Sequence, residues 1–350
     1  MTLYQHTTRS MGFFIGICLC LVLSQRPGWA QSAAEGERLS TLFDSLYNLS
    51  ISEIQIHVDL DSLLAGRLTE NEHKAEMKVK GDTGTTIELP LKISVRSKSR
   101  RRYCDFPPLK FDFPRDDLRA MGLRRQDDYK IVTHCLDSPA GEACLLKEYM
   151  TYKLYSIITP LSLRAKLVDM IYVDTKGENT VKQKAIILES NKEFAKKHDG
   201  KLCNCMGTSL DSIDAFLYEQ MAMFQYMIGN VDMNYLVERN VKFVRQKPNH
   251  PMIPVAYDFD FSALVNAPYV YPNVKDNRFL KRSYLGFKEN EAILEQVRNV
   301  FIERKEEILS YIENFEQIPK MERRACVLYV KKFFKQIEKS RLDLPYAKAD

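Results

Sequence analysis

Two aspartates separated by one residue, Asp258 and Asp260, and the asparagine-rich loop that precedes them are the residues of this chain best suited to chemistry. The segment 229–262 opens Gly-Asn-Val-Asp-Met-Asn-Tyr-Leu-Val-Glu-Arg-Asn and closes Ile-Pro-Val-Ala-Tyr-Asp-Phe-Asp-Phe-Ser. Asp232 follows a long apolar helical stretch and shares its loop with Asn230, Asn234 and Asn240. If 253–261 is a strand, alternation puts Asp258 and Asp260 on one side, opposite Tyr257, Phe259 and Phe261. Two carboxylates on one side of a buried strand repel each other and lose hydration unless a cation or hydrogen-bond donors meet them. A divalent ion would compensate them, and oxygen donors without nearby histidine or cysteine suit Mg²⁺, Mn²⁺ or Ca²⁺ rather than zinc. A strand end at the surface, with the two acids capping turns or pairing with Lys or Arg, explains the same spacing.

A second constellation joins Lys110 to Glu148. Lys110 lies between Leu109 and Phe111 in an alternating stretch, and a lysine inside a buried strand needs an anionic partner. Glu148 sits in the first substantial helical pattern, one turn before Tyr152. A strand lysine held by a helix glutamate and aimed at phosphates is an arrangement protein kinases use. The local pattern equally fits a lysine on the solvated face of an edge strand and a surface glutamate. A basic run, Arg96, Lys98, Arg100, Arg101 and Arg102, leads into this strand. Such runs are commonly solvated, but this one is placed to put an arginine on phosphate oxygens. The histidines have no metal or triad spacing, and His134 reads as a packed core residue. Walker, nucleophile-elbow, zincin and dinucleotide glycine motifs are absent from the sequence.

The elements that must position these groups change period along the chain. Ile54, Ile56 and Val58 alternate with polar residues, as do positions 77–95 across a Gly-Asp-Thr-Gly turn, positions 109–113 and positions 130–135. A helix is expected over 142–158, then strands near 164–173 and 184–190. Beyond a polar stretch at 196–207 the chain reads as helical over 209–228, 289–315 and 321–340, with two strands, 240–244 and 253–261, between the first two. The methionines Met221, Met223 and Met227 are read as core filler. The expected fold is α+β and two-lobed: an N-lobe, 50–195, of antiparallel sheet plus one helix, and a helical C-lobe, 196–350, carrying the catalytic-loop-like segment 229–262.

The 350 residues are 45% hydrophobic and 28% charged, an ordinary globular composition. Residues 1–30 read as a signal peptide. Arg9 precedes 13 apolar residues, Met11 to Leu23, and Gly28 and Ala30 suit cleavage after Ala30. That run is too short for a membrane span, which needs about 20 residues. An exported protein, periplasmic or extracellular, with no membrane span after cleavage and a lead-in at 31–49, is therefore expected. Removing residues 1–30, which carry Arg9 and Arg26 and no acid, takes the net charge from +5 to +3. That balance is not a nucleic-acid footprint. Six cysteines remain, at 104, 135, 144, 203, 205 and 326. They are read as disulfides or buried thiols, with Cys135 and Cys144 able to close a short loop and Cys203-Asn204-Cys205 forming a C-x-C rather than a redox C-x-x-C.

Taken in order, Val95–Arg101, Pro108-Leu109-Lys110-Phe111-Asp112-Phe113, the helix 146–155, Ala185-Ile-Ile-Leu-Glu189, Gly229-Asn230-Val231-Asp232 and Tyr257-Asp258-Phe259-Asp260 resemble the spore-coat CotH family of kinase-like proteins over roughly residues 50–275. The resemblance implies a reduced, atypical kinase-like fold that binds ATP with Mg²⁺ or Mn²⁺ and phosphorylates secreted proteins. By it, Lys110 holds the nucleotide phosphates, Glu148 orients Lys110, and the strand ending at Glu189 leads into the inter-lobe hinge; Arg96, from the basic run, and Glu189 complete the expected nucleotide-binding residues. Asp232 is the catalytic aspartate, and Asn234 or Asn240 and Asp258 or Asp260 are metal ligands. Asn240 follows Asp232 by eight residues, where many kinases place their metal asparagine five after the catalytic aspartate. The implied activity is phosphoryl transfer to a secreted or envelope acceptor. A catalytically inactive binding protein of the cell envelope is the alternative.

Overall fold

Alternation between buried and more exposed side chains marks most of seven strands: β1 (Ile51–Val58), β2 (His73–Gly81), β3 (Thr86–Val95), β4 (Leu109–Asp112), β5 (Asp128–Val132), β6 (Ala165–Asp174) and β7 (Thr180–Leu188), the last ending in four consecutive buried residues. Along β3 the residues Ile87, Leu89, Leu91, Ile93 and Val95 are all buried. The computed structural model describes residues 39–342 except 82–83, 85, 98, 271–281 and 288–289. The proposed signal peptide, residues 31–38 of the lead-in and Lys98 lie outside the described residues. No helix among the described residues is long and apolar enough to cross a membrane.

The seven strands close into a barrel in the order β1-β2-β3-β4-β5-β7-β6. Neighbours pair antiparallel except at the closure, where β1 and β6 run parallel with Ile54 opposite Met170 and Val58 opposite Asp174. The two-lobed kinase-like architecture expected from the sequence, with an open sheet forming an N-lobe, is therefore wrong: this is a closed, mixed seven-stranded barrel with helices. The physical reason is that period-two alternation reports one buried face and says nothing of whether the last strand meets the first. Closure rests on pairing between residues more than a hundred positions apart.

Helix α1 (Leu42–Asn48) precedes the barrel, α2 (Leu60–Ala65) follows β1, and α3 (Arg115–Ala120) joins β4 to β5. Helix α4 (Pro139–Ile158) lies between β5 and β6. Ser138 caps it by accepting the Gly141 N–H at 3.2 Å, and Pro139 occupies its first turn, where a missing N–H costs nothing. After β7 come α5 (Asn191–Lys197) and a three-stranded sheet in the order β10-β9-β8, built from β8 (Lys201–Cys203), β9 (Val241–Arg245) and β10 (Ile253–Ala256). Helix α6 (Ala215–Ile228) starts at the Asp214 cap and is buried almost throughout, with Met221, Met223 and Met227 fully inside the core. The expected helix 289–315 is two helices, α7 (Glu291–Glu303) and α8 (Lys305–Glu313), broken at Arg304; α9 (Lys320–Ile337) follows.

The strand expected over 253–261 stops at Ala256. Residues 257–264 turn back onto the end of α6, where Ala263 N–H donates to Gly229 O and Leu264 N–H to Ile228 O. Gly229 ends α6 at φ +67°, and a Cβ there would collide with the Tyr329 hydroxyl, so only glycine fits. Cys104 pairs with Cys135, not Cys135 with Cys144, and Cys203 and Cys205 lie side by side with Cα atoms 5.2 Å apart. Cys144 and Cys326 are buried free thiols.

Candidate functional site

The chain leaves β3 at Arg96, whose backbone N–H donates to Pro108 O at 2.9 Å, and then winds a single 3₁₀ turn over Arg100–Arg102. The disulfide from Cys104 to Cys135 ties this turn to the segment after β5. That anchoring turns one member of the basic run inward. Arg100 is only 5% exposed. Its Nη2 lies 2.9 Å from Asp258 Oδ1 and 2.5 Å from Asp260 Oδ2, so a single guanidinium spans both acids. Its face lies 5.8 Å from the centre of the Tyr269 ring.

The D-x-D pair thus meets a cation, but not through strand alternation. Asp258 has φ +64°, a conformation short polar residues tolerate, and its N–H donates to the Tyr152 hydroxyl at 2.9 Å. Phe259 is buried against Tyr152 and Phe224, its ring centre 4.8 Å from that of Tyr152. The turn around Phe259 brings both carboxylates back to one guanidinium. Asp260 is buried, and Glu148, one helical turn before Tyr152 on α4, is buried beside it with Oε1 lacking a hydrogen-bond partner among the described residues.

The charges in this cluster are unequal. Burial, opposed by Arg100 and reinforced by Asp258, pushes Asp260 up to about 7. Burial and the neighbouring Asp260 raise Glu148 well above its ordinary value, against the pull of Arg100. Burial would raise Asp258 as well, but Arg100, Arg96 and Lys130 outweigh it and hold Asp258 below its ordinary value. Lys130, on β5, is half-buried with its Nζ 4.4 Å from the centre of the Tyr257 ring. Burial, and then repulsion from Arg96, bring it down to about 8. Among the described residues no carboxylate lies within ion-pair distance of Arg96 or Lys130.

Asp232 and Asn240 border the same cluster. Asn240 Nδ2 donates to the Asp232 carbonyl at 2.7 Å and to its Oδ2 at 3.0 Å, and Arg239 approaches Oδ1 at 3.5 Å. The loop is clasped at its waist by reciprocal backbone bonds between Asn234 and Arg239. The Asn240 carbonyl accepts the Tyr257 N–H at 3.1 Å, joining this loop to the Asp258 turn. Burial raises Asp232, with Arg239 and Asn240 only partly offsetting it and Asp258 adding to it.

Of the residues singled out in the sequence, Arg96, Glu148, Asp232, Asn240, Asp258 and Asp260 come together. Lys110 does not. It is on the outer face of β4, 40% exposed, with Nζ 2.8 Å from Asp112 Oδ2. Glu189 is buried in a separate pair, accepting from Arg164 Nε at 2.9 Å and from the Arg164 N–H at 3.0 Å. Asn234 is exposed and accepts the Leu236 N–H, with its side chain turned to its own loop. Lys130 was missed. It stands directly opposite Lys110 in the β4–β5 register and has the same alternating neighbours, Tyr129 and Ile131. Both lysines share the outer barrel face, and only the covering of that face near Lys130 by Tyr257 distinguishes them.

Among the described residues no group of three or more His, Cys, Asp or Glu side chains is placed to hold a metal ion. Asp260 is committed to Arg100 and is not free for one. Asp258, with 36% of its side chain exposed, Asp232 and the Asn240 amide form a smaller oxygen set.

No protein-family model matches the chain, and no curated protein matches it. Among solved structures, the crystal structure of the Golgi casein kinase aligns over 81% of this chain and 78% of that one at 8% identity, with a TM-score of 0.23. A score that low carries no argument for fold or activity. The likeness to the CotH family therefore rests on the ordered residues alone.

Proposed function

We propose that the cluster binds a phosphorylated ligand, of the nucleoside triphosphate class with Mg²⁺ or Mn²⁺, and transfers its terminal phosphoryl group to a hydroxyl of a secreted or envelope protein. The observation that supports this reading is the pair of half-buried cations, Arg96 and Lys130, that lack a carboxylate partner among the described residues while facing Asp258. Cations removed from bulk water and left unpaired favour a multivalent anion. In this reading Arg96 and Lys130 hold phosphate oxygens. Asp258 and Asn240 would hold the divalent ion, which neutralises charge on the phosphates. Asp232 accepts the proton of the attacking hydroxyl as its oxygen bonds to the terminal phosphorus and the bond to the bridging oxygen breaks, releasing the diphosphate. Its raised pKa makes it a better proton acceptor than an ordinary aspartate.

The test is thermal denaturation with nucleotide followed by a transfer assay. A ligand at about 100 times its Kd adds roughly 2.7 kcal/mol to stability. We expect ATP with Mn²⁺ to stabilise the wild type, Lys130→Met to lose that stabilisation, and Asp232→Asn to keep it while losing labelling of the protein by radioactive ATP. Absence of any nucleotide-dependent shift overturns the reading. A non-catalytic role in binding phosphorylated ligands is favoured by one feature, the Arg100 guanidinium that already neutralises Asp258 and Asp260. It predicts stabilisation by ATP without metal and no labelling.

A further inference from the structure

Helix α9 contributes no residue to the acidic cluster, and its two faces meet different surroundings. Cys326, Val327, Val330, Phe333, Phe334 and Ile337 are buried. The Phe333 ring centre lies 5.7 Å from that of Phe301 and 6.0 Å from that of Tyr226. That packing fixes which side chains of the helix point to water. None of its exposed positions is acidic. Met321, Arg324, Leu328, Lys332 and Lys335, spaced three or four apart, form one outward row about 20 Å long.

The helix has six lysines and arginines and one acid, Glu322, a balance of +5. That equals the net charge of the entire chain, so all the other residues together sum to zero. The one acid is spent inward, with Glu322 Oε2 3.0 Å from Nζ of the buried Lys147 on α4. Glu338, just past the helix, is 2.8 Å from Lys305, and Glu313 of α8 is 3.6 Å from Lys331. With these acids taken, Arg324, Lys332 and Lys335 have no acid within ion-pair distance among the described residues. In the same row Met321 and Leu328 are 76% and 63% exposed, two helical turns apart. A row of unpaired cations calls for a surface of negative charge, and large apolar side chains standing among them call for hydrocarbon beneath that charge. A nucleic-acid backbone or an acidic polypeptide supplies only the first. An anionic bilayer supplies both, with headgroup phosphates above acyl chains. No helix among the described residues is long and apolar enough to cross a membrane, so the contact is with the membrane surface.

We propose that the outward face of α9 docks the protein on an anionic lipid surface. Arg324, Lys332 and Lys335 lie against headgroup phosphates, and Met321 and Leu328 reach between the headgroups to the acyl boundary. The opposite face of α9 belongs to the core, so the helix docks in place, without leaving the protein. The cations supply an attraction that salt screens, and the two apolar side chains supply one that it does not.

The full-length protein is sedimented with vesicles of phosphatidylcholine alone and with vesicles of equal parts phosphatidylcholine and phosphatidylglycerol. The readout is the preference for the mixed vesicles, because the apolar run 11–23 is common to every variant and meets both kinds alike. We expect a preference that added salt weakens. Arg324→Gln, Lys332→Gln and Lys335→Gln together should lower it about a hundredfold, at about fivefold per cation. Neutralising three lysines exposed on other parts of the chain, by Lys182→Gln, Lys201→Gln and Lys247→Gln, should leave it near the wild-type value. Met321→Ser with Leu328→Ser should weaken binding to the mixed vesicles while keeping its salt dependence. All these side chains are in water, so the variants keep the wild-type circular dichroism. Equal losses in the two triple variants mean attraction by net charge alone and overturn the proposal. So does a tighter hold on polyglutamate or duplex DNA than on the mixed vesicles, or binding indifferent to Met321 and Leu328.

Discussion

Arg100 is the residue on which the acidic cluster depends, because it meets two carboxylates while itself almost wholly out of water. Replacing it with methionine leaves Asp260 buried without its cation. Removing one partner of a buried pair costs about 3–5 kcal/mol, and we expect a loss of that order in urea denaturation. Asp260 also makes stability depend on pH. Its folded pKa, about 7, is above that of an unfolded aspartate, so the folded state binds the proton more tightly. Its contribution is fully present below about pH 4 and is lost as pH rises through 7. Asp260→Asn should flatten the decline in stability between those limits, and an unchanged slope would show that other buried carboxyls, such as Glu193, which burial also raises to about 7, carry it. The two lysines give a paired prediction. Binding of ATP should weaken as pH rises through about 8 in the wild type, where Lys130 loses its proton, while Lys110→Met changes neither stability by more than about 0.5 kcal/mol nor ligand binding.

Between elements, the decisive junction is the end of α6, where Gly229 reverses the chain and receives the Asp258–Leu264 turn. Gly229→Ala forces a Cβ into the left-handed region and into the Tyr329 hydroxyl, and should cost about 1–3 kcal/mol in thermal denaturation while also lowering nucleotide binding. Loss of stability with binding intact would show that the Asp258 turn is held by other means. At this scale the sequence was informative wherever a short-range period exists. Strands, the α4 helix and the α6 helix were legible from spacing and caps. The D-x-D segment was not, because its apolar, alternating residues look like a strand while Asp258 adopts φ +64° to end one. Lys110 and Lys130 have equivalent local patterns, and what separates them is Tyr257, which arrives from more than a hundred residues away. Arg100 looked like part of a solvated basic run because neither its 3₁₀ turn nor the Cys104–Cys135 link has a local signature.

Among the described residues the barrel's first strand is fastened to its sixth, and the cluster forms where residues after β3, on β5 and on α4 meet the turn after β10. Barrel closure was the feature least legible in the sequence, since alternation is the same in open and closed sheets. Simultaneous replacement of Cys104 and Cys135 by alanine should cost about 2–4 kcal/mol and raise the susceptibility of the 96–104 segment to protease, measured by denaturation and limited digestion. The pairing of Arg100 with Asp258 joins residues 158 positions apart, and β1 finds β6 only after residue 170 exists. During synthesis from the N-terminus, then, the ribosome releases an arginine whose acidic counterparts have not yet been made. A nascent chain arrested before Tyr257 has the cations of the cluster without Asp258 and Asp260, so the cluster cannot assemble until translation has passed them.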